Sequence, residues 1–269
     1  MLRPPAVVGR FYPADPADLK RQISELTSIA AESPPRTAVA CMVPHAGYRY
    51  SGRVAGAVYA CMKLPRRFVL VGPRHFPNGK AQAILSDGLW QTPLGLAEID
   101  AQLAGEIKSA CPFLCEDEEA HQREHALEVQ LPFLQHLANG FRFVPIALGP
   151  SDYDLLEALG RAIAGAVLRQ PEPVLIIASS DMNHYESAEI TRRKDAQALE
   201  AVLALDPRGL FDVVRREGIS MCGYGAAVSV LTAARLLGAK RAELERYATS
   251  GDVNGDRDEV VGYAGVIVE

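Results

Sequence analysis

The chain has 269 residues, 48% of them hydrophobic and 23% charged, a balance that suits a globular protein with a sizeable core. Its formal net charge of -5 argues against a general affinity for nucleic acid or anionic membrane. The opening "MLRPPAVVGRFYPADP" lacks the apolar run of a signal peptide, and no stretch approaches a transmembrane length. Five cysteines without zinc-finger spacing fit free thiols in a reducing cytoplasm.

In chain order, "AESPPRT" reads as a loop before the first core strand, "TAVACMVP", which ends at His45. A helical stretch, "GRVAGAVYACMK", follows, and then the apolar run "RFVLVGPR" ends at His75. "AQAILS" is a further short strand, and "DGLWQTPLG" places Trp90 in a turn that could cover the mouth of a site. "EEAHQREHALEVQLPFLQHL" reads as helical up to an interruption at Pro132. Such a helix would put His121 and His125 on one face, four residues apart. Glu124 stands at the fourth position of H-Q-R-E-H and not the second, so the general base of a zincin is missing. His125, beside Glu124 and Glu128, is the better candidate for a ligand or substrate contact, and His136 reads as structural.

"FRFVPIAL" then precedes helical "DYDLLEALGRAIAGAVLRQ", and the strand "PVLIIASS" runs out to Asp181 and His184 ahead of another helix. Continuous apolar runs separated by helices indicate strands buried on both faces of a largely parallel sheet, in one α/β domain over 1–269. Three such strands therefore deliver His45, His75, and the Asp181–His184 pair just past their carboxyl ends. In open α/β sheets that edge is where ligands bind.

"MCGYGAAVSVLTAARLL" sets Cys222 at the start of an apolar helix, where backbone N–H groups would favour thiolate. Cys41 and Cys61, inside apolar runs, read as structural. In "TSGDVNGDRDEVVGYAG" the alternating Asp252, Asn254 and Asp256 fail the EF-hand template, which then meets Arg257 and Tyr263. A polar turn between strands is expected there, with Asp252 lining the crevice. "GPRHFPNG" lacks the lysine and spacing of a P-loop.

Taken together, "RPPAVVGRFYP", "PHAGYRYSG", "GPRH", "TPLG", "EHALEVQLPFL", "SSDMNHY", "MCGYG", "SGD" and "VGYAG" span nearly the whole chain. In this order they resemble the Memo family, whose prokaryotic members are often labelled AmmeMemoRadiSam system protein B. The resemblance implies a fold similar to class III extradiol ring-cleaving dioxygenases, which are non-haem iron enzymes. It implies a metal cluster on His45, His75 and Cys222, with Asp181 and His184 beside it and His125 facing the same pocket. Where those dioxygenases use two histidines and a carboxylate, Cys222 takes the carboxylate's place, and a thiolate admits copper or zinc as well as iron(II), which remains the first expectation. One expectation is an iron- or copper-dependent oxidoreductase acting on a small substrate. In it His184 or His125 is the acid/base and Asp181 orients a histidine. The other is a non-catalytic protein holding a peptide or metabolite in the same cleft. The family name also implies a pathway shared with a radical SAM protein and an AMMECR-type protein.

Overall fold

The computed structural model describes residues 1–28, 35–138 and 140–269. Residues 31–34 of the loop expected over "AESPPRT" lie outside the described residues.

Five strands form the centre of the sheet in the order Gly95–Ile99, Arg142–Leu148, Arg67–Pro73, Val174–Ser179, Ala40–Val43, each parallel to its neighbour. The apolar runs "ACMV" and "VLIIAS" are buried at every residue, and "RFVLVGP" and "RFVPIAL" at all but the first. A strand covered on both faces has no solvent side, which is why these runs do not alternate with polar residues. Antiparallel strands finish the sheet. Val260–Val268 pairs with Ala40–Val43 and also with Ala242–Thr249 and the short His184–Glu186. At the opposite edge Leu89–Thr92 lies antiparallel to Gly95–Ile99, and Leu2–Arg3 adds a last parallel strand. The result is a single α/β domain with a mixed, mostly parallel sheet flanked by helices.

Helices start where short polar side chains accept their free N–H groups. Asp152 caps Tyr153–Leu168 through Leu155 N, and Ser187 caps Ala188–Leu203 through Ile190 N. Tyr153–Leu168 lies against Tyr224–Leu236 so closely that a Cβ on Gly160 would stand 2.5 Å from the Ser229 carbonyl. Among the described residues no helix is long and apolar enough to cross a membrane.

Register decides where the site falls. Val71 pairs with Ala178, and Ala178 with Met42, so these residues share one level of the sheet. His75 lies four residues past that level (75 − 71), while Asp181 (181 − 178) and His45 (45 − 42) each lie three past it. All three leave the sheet at the same edge.

Two local expectations are corrected. His121 sits in the four-residue helix Glu119–Gln122, which stops at Arg123, so His121 and His125 share no helical face. The carboxylate of Glu124 accepts Ala126 N at 2.8 Å, which replaces the helical hydrogen-bond ladder there. Trp90 covers no mouth: it is wholly buried in the strand Leu89–Thr92, with the Arg3 guanidinium 4.0 Å from its ring centre.

Candidate metal centre

His45 arrives through Pro44, and buried Gln130 holds that turn by donating to Pro44 O at 3.0 Å and to Ser179 Oγ at 2.9 Å. The Ser179 hydroxyl has one proton, which it gives to Ala126 O at 2.6 Å. Its contact of 3.0 Å with His45 Nδ1 is therefore a bond donated by the imidazole. That leaves the lone pair on His45 Nε2.

His75 is fixed by Glu124, whose carboxylate accepts His75 N at 2.6 Å and His75 Nδ1 at 2.9 Å. A carboxylate only accepts, so Nδ1 carries the proton and Nε2 is again the free nitrogen. The same Glu124 oxygen lies 3.6 Å from His125 Nδ1. Imidazoles anchored through one nitrogen by a hydroxyl or a carboxylate are oriented as metal ligands usually are.

The rings of His75 and His125 stack with centroids 4.5 Å apart, and His45 stands edge-on to both at 5.2 and 5.6 Å. Ligand nitrogens from all three lie within 4.8 Å of one another, a group that could hold a metal ion. Burial pushes the His45 pKa down to about 3, and burial with the neighbouring His45 pushes His125 down to about 4. Both rings are therefore neutral at pH 7, the form that binds metal. For His75, burial again opposes the charge, but the hydrogen bond and charge of Glu124 outweigh it and its pKa is raised. Burial acts on Glu124 too, yet its bond to His75 prevails and takes it down to about 2.

Cys222 precedes the helix Tyr224–Leu236, and its Sγ stands 3.2 Å from His45 Nε2. The thiolate expected from the helix end is not what the surroundings favour. Burial and the charge of Asp181 raise the Cys222 pKa well above its usual value, so the neutral thiol donates to the His45 lone pair. Gly223 is required beside it, because a Cβ there would come within 2.4 Å of the Ser179 carbonyl.

Asp181 Oδ1 accepts His45 N at 2.7 Å, and burial raises its carboxyl pKa against the pull of that bond. His184 donates from Nδ1 to the Ser220 carbonyl at 2.9 Å, which leaves its Nε2 as an acceptor. These side chains line one cavity of 580 Å³ together with Phe11, Tyr185, Ser220 and Tyr263. A second cavity of 580 Å³ opens at the amino ends of the strands. Its Arg67 and Arg142 are already paired with Asp100 and Glu98, and it carries none of the imidazoles.

The structure thus gathers His45, His75, His125, Cys222, Asp181 and His184 around one cavity, with His125 completing the group of shared ligand atoms. It separates two others. Asp252 lies outside the cavity, within the short helix Gly251–Asn254, accepting from Thr249 and Arg192, and His121 is buried against Trp90 with Nδ1 bonded to Asp117 O. Sequence reasoning passed over Ser179, Gln130 and Phe11. Ser179 could have been found as a polar residue closing an otherwise apolar strand.

A family model described as Memo-like protein matches residues 3–267. A MEMO1 family protein of Methanosarcina barkeri is 42% identical over 269 residues, covering 100% of both chains. One from Methanopyrus kandleri is 39% identical over 279 residues, covering 99% of each. Among solved structures, an uncharacterized protein from Escherichia coli K12 superposes with a TM-score of 0.57 at 16% identity. That likeness covers 84% of this chain and 99% of that one, and it shows a shared fold. With a family model and relatives that run along its whole length, the chain belongs to the Memo-like, or MEMO1, protein family.

Proposed function

We propose that this protein is a metal-dependent oxidoreductase in which His45, His75 and His125 hold one ion, iron(II) or copper, beside Cys222. The supporting observation is the convergence of three imidazoles from separate segments, with ligand nitrogens within 4.8 Å of one another. Imidazole donors suit iron, copper and zinc alike, and an adjacent thiol turns the preference toward the softer metals. Cys222 acts as a further donor once the ion's charge reverses the bias against its thiolate. When bound, iron or copper supplies Lewis-acid activation and electron exchange toward a coordinated substrate.

The remaining steps belong to the side chains. His184 accepts a proton at Nε2, because Nδ1 is committed to Ser220 O. Asp181, whose carboxyl pKa is raised by burial, holds the His45 backbone and is the second group placed to exchange a proton inside the cavity. Phe11, Val261 and Tyr263 displace water from the walls. Among the described residues no lysine or arginine lines this cavity, so it is suited to a small substrate without a strong negative charge.

The test is metal analysis of protein purified without oxygen, followed by oxygen consumption by the iron- or copper-loaded chain with a panel of catechols and thiols. Expected are one ion per chain, turnover lost with the ion retained in His184→Ala, and both lost in His45→Ala. Tight binding of a panel compound without turnover in any loaded form would favour a binding protein on this scaffold.

A further inference from the structure

The N-terminal segment carries more polar contacts to the site than its place at the sheet edge requires. Arg3 and Glu128 form an ion pair of 2.7 Å whose side chains are both 0% exposed. Arg3 also donates to His121 O at 2.7 Å and to Glu124 O at 2.6 Å. Glu128 accepts in addition from Ala6 N, Val7 N and the Tyr12 hydroxyl, at 2.8, 3.1 and 2.6 Å. Residues 3–12 are thereby tied to the turn of chain that carries Glu124 and His125. The far end of the same segment reaches the other side of the site. Phe11 O accepts Tyr48 N at 2.8 Å, at the start of the helix Tyr48–Ala60 that follows the His45 turn, and the Phe11 ring meets His125 edge-on at 4.8 Å.

A buried ion pair is a poor source of stability, since apolar residues of similar volume usually serve as well or better. What this one does is place carbonyls and a loop. We infer that residues 3–12 are a strap that positions the metal centre. In it the Arg3–Glu128 pair locks the Glu124–His125 turn, and Phe11 fixes its distance from the His45 loop. The inference rests on the metal reading proposed above. Arg3, Glu128 and Phe11 are positioning residues in it: the first two touch no imidazole, and Phe11 only packs against one.

The experiment compares the full chain with Arg3→Met/Glu128→Leu, which removes both charges together, and with Phe11→Ala. Cobalt(II) is the probe, followed by competition titration and visible absorption, with thermal unfolding measured on each protein. Both variants are expected to unfold cooperatively, bind cobalt(II) about 10–100-fold more weakly, and show an altered cobalt spectrum, as when an outer-shell partner of a metal site is lost. Wild-type affinity and spectrum in a folded variant would overturn the inference. If the double variant does not fold, Phe11→Ala decides, since it disturbs no ion pair. Absence of cobalt binding in the wild-type chain would defeat the metal reading alone. Amide exchange at Ala126, whose N–H Glu124 holds, then tests the strap in metal-free protein. Faster exchange in the variants supports it, and unchanged exchange overturns it.

Discussion

Glu124 anchors one of the three imidazoles and lies close to a second. Its carboxylate is wholly buried, bonded to His75, and close to His125. Replacing it with glutamine keeps the volume and removes the charge that raises the His75 pKa, so that pKa should fall. A proton NMR titration of the His75 ring reads this directly, and an unmoved titration would contradict the assigned pairing. The same variant should lose about 10–100-fold in metal affinity. Cys222 gives the opposite lesson about charge. Its position before a helix suggests a thiolate, but burial and the nearby Asp181 outweigh the helix end. In metal-free protein Cys222 should therefore react with iodoacetamide at neutral pH more slowly than free cysteine does. A faster reaction would show that the helix end prevails.

At the scale of elements, the sequence was informative where one residue type answers to one constraint. The strands ending at His45, His75 and Ser180 were readable because full burial demands unbroken apolar runs, and a parallel sheet brings their carboxyl ends to one edge. The Glu119–Gln130 stretch was not readable, because helical spacing there is interrupted by a carboxylate that satisfies Ala126 N in place of a helical carbonyl. Nor was the strap, since Arg3 meets Glu128 across a sequence separation of 125 (128 − 3). Local pattern carries no signal of such a pairing. Tyr185 is a further case: it has φ 60°, sits between the paired residues His184 and Glu186, and is 73% exposed at the cavity. Left-handed backbone costs a β-branched residue most. Tyr185→Val should destabilise the fold by about 1–2 kcal/mol, whereas Tyr185→Gly should be near neutral because relief of strain offsets the added chain entropy. Chemical denaturation of the two variants distinguishes them, and equal losses in both would mean that the tyrosine ring itself supports the fold.

Across the whole molecule, three buried histidines make stability depend on pH. His45, His121 and His125 have folded pKa values of about 3, 4 and 4 against an ordinary value of 6.5. Below 6.5 the unfolded chain takes up protons that the folded chain refuses. Stability is therefore full above that pH and lost as pH falls toward 3–4, at about 1.4 kcal/mol per group for each pH unit. Glu124, lowered to about 2, extends the loss to lower pH. Asp195, raised to about 6 by burial, and Asp181, also raised by burial, work the other way above their ordinary 3.8, and the raised His75 gains stability as pH falls toward 6.5, so part of the loss is offset. The metal-free protein should show a net loss of stability between pH 6.5 and 4, as read by denaturant midpoints. A flat profile would mean that these imidazoles are not held neutral. A bound ion needs the same neutral rings, so it should raise the midpoint at neutral pH and release with acid.

The most direct measurement is an equilibrium cobalt(II) titration of the wild-type chain and of the triple variant His45→Ala/His75→Ala/His125→Ala, with circular dichroism confirming that both are folded. The expected result is one tight equivalent per wild-type chain and none in the variant. No uptake by the wild-type protein, or undiminished uptake by the folded variant, would contradict a metal centre built on these three imidazoles.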